Sequence, residues 1–176
     1  MLDAAADRLA SAGAVVRDTE LPSECAEGDE RQTILGSFEG LRNHMPELYR
    51  HEALLSARLR ETKIARGREL SLDAFRSACR GAEKARAAAR EWAGGFDAIL
   101  TLPAPGQAPR GLASTGSAVF NALWTQLWMP CLTLPAGHGP DGLPIGVQLV
   151  GCRHYDARLL EVGLWVEGRL GQGGQP

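Results

Sequence analysis

One stretch, Phe96 to Gly151, limits what this chain can fold into more than any other. It holds three short apolar runs, Ala98–Leu102, Cys131–Leu134 and Ile145–Val150, each cut off by Pro or Gly. Proline cannot donate a ladder hydrogen bond and glycine is costly to order. Apolar runs bounded by them therefore read as buried strands with loops between. Seven of the ten prolines lie between Pro103 and Pro144, whereas alanine is abundant up to Ala93. The first half is thus expected to be mainly helical and the second half strand and loop. After the first run, Pro103, Pro105 and Pro109 force the chain out of the sheet. Thr115-Gly116-Ser117 then leads into a helix over Ser117–Leu127, with Phe120, Leu123, Trp124 and Leu127 as its apolar side. In the last run Ile145, Val147 and Leu149 point one way. Gln148 points the other way with Gly146 and Val150.

The N-terminal half follows helical spacing. Leu2, Ala5, Ala6 and Leu9 form one face, and Gly13 stands where a helix C-terminal cap belongs. Ala14-Val15-Val16 then reads as a short strand, completing an α/β unit whose abrupt opening leads us to expect a strand upstream. Ile34, Leu35, Phe38 and Leu41 mark an amphipathic helix. Pro46 starts a second helical run, with Leu48, Leu54, Leu55 and Leu59 inward and a stop near Gly67. Ser71 caps a third helix, Leu72 to about Trp92, with Asp73 in its first turn. Arg76, Arg80, Lys84 and Arg90 make that helix basic. With Glu83 and Glu91 interspersed, a solvated outer face outweighs a phosphate- or nucleic-acid-binding one. Gly94-Gly95 breaks the helix. Asp156 is expected to cap a closing helix that packs through Leu159, Val162, Val166 and Leu170.

Size and composition exclude several classes. At 176 residues the chain suits one domain or part of one, and such a chain can bury roughly 70% of its unfolded surface. A net charge of −2 gives no electrostatic case for nucleic acid or an anionic membrane. No stretch approaches the apolar length of a membrane span, and the Met1 region lacks the pattern of a signal peptide. The four cysteines are dispersed, with no C-x-x-C, so reduced thiols and a cytoplasmic location are expected.

The order of motifs resembles the C-terminal part of the amidase signature family. The residues that carry the resemblance are Asp97 through Pro103, Ala108-Pro109, Thr115-Gly116, Phe120-Asn121, Trp124-Thr125, Pro130, Leu134-Pro135-Ala136-Gly137, Gly142 through Gly151, and Asp156. Ile64, Gly67, Ser71 and Phe75 fit the family's lead-in to its long helix. The resemblance implies an α/β fold, with a mixed β-sheet flanked by helices. Residues 1–170 would form a single partial domain, mainly helical over 1–93 and strand-loop-helix over 94–170, with a flexible tail at 171–176. It further implies a hydrolase of carbon–nitrogen amide bonds. Such enzymes use a lysine and two serines, with backbone N–H groups stabilising the oxyanion.

Those catalytic residues lie, in the family, before the portion matched here. This sequence has no Gly-Gly-Ser-Ser stretch, and its two lysines, Lys63 and Lys84, stand outside the family's motif. No catalytic residue is therefore assigned, and the chain alone is expected to be catalytically incomplete. Thr115, Phe120, Trp124, Trp128 and Gln148 are the candidates for a substrate pocket. Trp124 and Trp128 would serve either as core packing or as the wall of an amide pocket. Trp128 replaces a residue that is usually glycine in the family, so a large ring there would narrow the usual pocket. Gln148, if buried, would satisfy loop backbone or contact substrate. Cys131, His138 and His154 form a weaker set for Cys–His chemistry, and Ser114 and Ser117 lack a G-x-S-x-G context. No metal and no cofactor are expected. The expected partner is a small-molecule amide, bound once the chain is joined to its N-terminal half. The alternative is a truncated, non-catalytic homologue that binds or self-associates through an exposed sheet edge.

Overall fold

The computed structural model describes residues 1–171. Helix α1 (Leu2–Ser11) ends as its sequence dictates. Gly13 takes φ 98°, and its N–H bonds to the Ala10 carbonyl while that of Ala14 bonds to Leu9. This paired closure satisfies two carbonyls that a helix end otherwise leaves open, and it brings Ala14 back toward the core. Helix α2 spans Gly28–Asn43 and α3 spans Met45–His51. Two short helices, α4 (Ala57–Leu59) and α5 (Ala65–Glu69), follow with a π-helical turn between them over Arg60–Ile64. The long helix α6 (Leu72–Ala93) begins at Ser71, whose hydroxyl accepts the Ala74 N–H at 3.1 Å.

Helix α6 buries only alanines: Ala78, Ala82, Ala85, Ala89 and Ala93. Their spacing of three and four keeps them on one face, and their small side chains let neighbours approach closely. Leu35 of α2 packs against Ala78 and Ala82, and Phe38 stacks on Phe75 with centroids 4.1 Å apart.

Three strands follow: β1 (Ile99–Thr101), β2 (Cys131–His138) and β3 (Pro144–Val150), with α7 (Val119–Leu127) between β1 and β2. The order is β1-β3-β2, and both pairings are antiparallel. Alternation along β3 then sorts the core. Val147 and Leu149 join Leu134, with Ala5 and Leu9 of α1 and Leu159, Val166 and Leu170 of α8 (Asp156–Leu170), on one face. Val150 meets Ala85, Ala89 and Ala93 of α6 and Trp124 and Leu127 of α7 on the other. The chain is thus α/β, a small sheet between two helical layers.

Four expectations are corrected. Ala14–Val16 forms no strand, and Val15 is 93% exposed. The segment instead follows the end of α6 through side chains, with Trp92 donating to the Thr19 hydroxyl at 3.0 Å and Arg17 over Phe96 at 4.8 Å. Leu54 does not point inward but is 83% exposed. The run breaks at Leu55, which is extended, and Ser56 caps a new helix by accepting the Leu59 N–H. The run Cys131–Leu134 is not fully buried, because β2 is an outer strand and Cys131 and Thr133 are exposed. That outer position is also what tolerates Pro135, beside a bulge between Pro135 and Gly137. Finally, Asp156 is the first helical residue of α8, Tyr155 holds the cap position, and no side chain caps the end. Of the tail expected at 171–176, residues 172–176 lie outside the described residues. No described helix is long and apolar enough to cross a membrane.

Candidate functional site

The β2–β3 hairpin positions the first candidate. Its tip closes with Gly139 N–H on the Leu143 carbonyl at 2.8 Å and Gly142 N–H on Gly139 at 3.0 Å, and Gly142 takes φ 74°. Further along β3, a Cβ added at Gly146 would lie 2.7 Å from the Leu134 carbonyl oxygen. Close approach there sets the pairing that places Gln148 between Thr101 and Thr133 on the neighbouring strands. Gln148 is 1% exposed, and its amide nitrogen has no hydrogen-bond partner. Satisfaction of loop backbone, one of its two expected roles, is not seen for that nitrogen.

The loop between β1 and α7 is tied down at two points. Asn121 donates to the Pro103 carbonyl at 2.8 Å. Gln107 bonds to the hairpin tip, donating to the Asp141 carboxylate and accepting the Asp141 N–H. Ser114 and Ser117 spend their hydroxyls on nearby backbone, accepting from Gly116 and Val119. Thr115 is exposed in this loop, and Phe120 is half-buried in the first turns of α7. Trp124 lies in the core against α6 and β3. The candidates thus range from buried (Trp124, Gln148) through half-buried (Phe120) to exposed (Thr115). A surface cleft of about 320 Å³ beside Phe96, Cys152 and Tyr155 includes none of them.

Trp128 stands apart. It follows α7 in the left-handed region, φ 58° and ψ 34°, and is 53% exposed. A bulky residue there is strained, which accounts for the glycine usual in the resembling family. The ring is held by two cations. The guanidinium of Arg86, from α6, lies 3.6 Å from the indole centroid, and that of Arg153, just after β3, lies 4.3 Å away. Arg86 is anchored by its Nε donating to the Gln126 carbonyl at 2.7 Å. Burial, and then the nearby Arg153 charge, pulls Arg86 below the usual guanidinium range. Among the described residues neither arginine forms a salt bridge, and the buried Nε of Arg153 has no hydrogen-bond partner. Sequence reasoning missed both arginines. They come from elements far apart in the chain, and only the tryptophan at a glycine position pointed toward them.

Among the described residues the Cys131 thiol bonds to the Met129 carbonyl and to neither His138 nor His154. Cys131 and His138 stand at opposite ends of β2, roughly 20 Å apart for a strand of that length. Although Cys131 opens onto solvent, partial burial of its thiol pushes its pKa up to about 11, the wrong direction for a nucleophile. Among the described residues no group of three or more His, Cys, Asp or Glu side chains could hold a metal ion.

In fold and sequence the chain is similar to the C-terminal portion of amidase-signature enzymes. No protein-family model matches it. It is similar to 2-amino-5-chloromuconic acid deaminase of Comamonas testosteroni, 28% identical over 98% of this chain and 39% of that protein. It is also similar to a glutamyl-tRNA(Gln) amidotransferase component of Neisseria gonorrhoeae, 40% identical over 36% of this chain and 15% of that one. A crystal structure of an amidase superposes with TM-score 0.85 at 28% identity, over 96% of this chain and 41% of its own. The chain thus spans about two fifths or less of the length of each of these proteins.

Proposed function

We propose that the chain supplies the pocket-bearing part of an amidase-signature hydrolase that cleaves carbon–nitrogen amide bonds. The lysine and serines would come from a catalytic portion whose motifs this sequence lacks. The observation that carries this is colinear similarity over nearly the whole chain, 98% against the deaminase and 96% against the amidase structure. In this reading Thr115, Phe120, Trp124, Trp128 and Gln148 contribute to the pocket wall, Trp124 from behind. The substrate is a small amide or related amine. The relative that spans the chain is, by its name, a deaminase of an acid, which favours a substrate that bears a carboxylate. The four free cysteines fit a cytoplasmic setting.

The test is ammonia release from benzamide and hexanamide, by the purified chain and by the species carrying peptides of Phe96–Gly151 in its source cells. The chain alone should release none. The cellular species should exceed 18.8 kDa and be active. Saturable hydrolysis by the isolated chain, abolished by a substitution within it, would overturn the proposal.

A second reading, a non-catalytic association module, is favoured by two features. Among the described residues β1 and β2 each pair only with β3, leaving an open edge on both sides, and Val15 and Leu112 are almost fully exposed. A cellular species of 18.8 kDa that elutes as a dimer would support it. A monodisperse monomer would count against it.

A further inference from the structure

We propose that Arg86, Trp128 and Arg153 form a binding site for a carboxylate group carried by a small-molecule ligand. Two guanidiniums lie within 4.3 Å of one indole centroid, so the cations sit within about twice that distance of each other. Like charges this close repel. Among the described residues no carboxylate lies within salt-bridge distance of either, and the nearby charges of Glu83 and Glu39 only partly offset that of Arg153 at Arg86. A bound anion would relieve that repulsion.

The donors left over suit a carboxylate. Arg86 spends its Nε on the Gln126 carbonyl, which fixes the guanidinium plane and leaves its terminal nitrogens for a ligand. The Nε of Arg153 is buried and has no partner, so it is the terminal nitrogens of that guanidinium that face a ligand. A planar fork of N–H groups matches a carboxylate in two parallel bonds. Trp128 orients both forks by cation–π contact while holding a strained left-handed backbone. Strain of this kind persists where the surroundings over-determine a residue, and a glycine would remove it. That the ligand is the substrate's own carboxylate rests on the function proposed above. Binding itself needs no catalysis, so the two can fail separately.

The experiment is calorimetric titration of the whole chain with adipate, against adipamide, inorganic phosphate and a tri-glutamate peptide. Adipate should bind saturably, with affinity falling as salt rises. Adipamide should show no saturable heat, and phosphate should bind at least tenfold more weakly. Arg153→Gln should weaken adipate at least tenfold. Arg153→Lys keeps the charge but loses the fork and should weaken it several-fold, which provides a second reading if the glutamine variant does not fold. Trp128→Gly should weaken adipate while leaving the melting temperature unchanged or higher. No adipate binding, equal binding by Arg153→Gln, or equal affinity for phosphate would overturn the proposal. Binding of tri-glutamate without adipate would overturn it too, since the bearer would then be polypeptide.

Discussion

Gly146 and Gln148 stand two residues apart on β3 and should respond oppositely to substitution. A Cβ at Gly146 meets backbone, the Leu134 carbonyl, which cannot move aside without breaking the pairing. Gly146→Ala should cost about 1–3 kcal/mol, and Gly146→Val more. Gly142→Val should cost about 1 kcal/mol or more, because its φ of 74° is strained for a branched residue. Gln148→Leu removes a buried nitrogen that has no partner and keeps most of the volume, so stability should be unchanged or higher. Thermal melts of these variants check all three, and equal values for Gly146→Val and Gln148→Leu would contradict the account. At Cys131 the raised pKa, about 11 against an ordinary 9.0, leaves a thiolate fraction roughly a hundredfold smaller near neutral pH. Peptide-resolved alkylation at pH 8 should find it slow. Below pH 9 the thiol is protonated whether folded or not, so it makes stability no more pH-dependent there. Between pH 9 and 11 the folded state alone keeps the proton, so stability should fall with rising pH, and less steeply in Cys131→Ser. The alternation that places Gln148 was legible because a strand's period is two. The unpaired state of its amide was not, since that depends on what packs above it.

At the scale of elements, α6 tests how closely its neighbours approach. Ala85 and Ala89 are fully buried between α7, β3 and the turn at Cys25. Ala89→Leu should cost about 1–3 kcal/mol by overpacking, whereas Ala87→Leu, on the exposed face, should be nearly neutral in the same denaturation experiment. Helix ends were readable where one residue type does the work, as at Ser71, whose hydroxyl caps α6, and Gly13, whose positive φ closes α1. The strand expected at Ala14–Val16 failed because β-branched residues favour an extended backbone but cannot supply a ladder partner. The inward Leu54 failed because Ser56, a capping residue, restarts the helix in a new phase. That signal was present in the sequence and was outweighed by the run of leucines.

For the whole molecule, the contacts that position the site join segments distant in sequence. The loop after β1 is held to the hairpin tip through Gln107 and Asp141. Asp141→Ala should free that loop, and tryptic cleavage after the exposed Arg110 should become several-fold faster while the melting temperature changes little. The grouping of Arg86, Trp128 and Arg153 escaped the sequence for the same reason: nothing in local spacing announces that α6, the end of α7 and the segment after β3 converge. The motif series around Phe96–Gly151, by contrast, was legible because Pro and Gly punctuate it in order.

The strand order has a consequence for how the protein is made. Of the three described strands β3 leaves the ribosome last, yet it is the one to which both others pair. While residues before Pro144 emerge, β1 and β2 have no template, and their apolar faces wait in an unordered nascent chain. Among these three strands, pairing therefore waits for β3, and the helices that precede them in this chain have time to organise beforehand. A pause in translation shortly before Pro144 would hold the chain at its most aggregation-prone length, whereas one shortly after Gly151 has cleared the exit tunnel would let the three strands zip together.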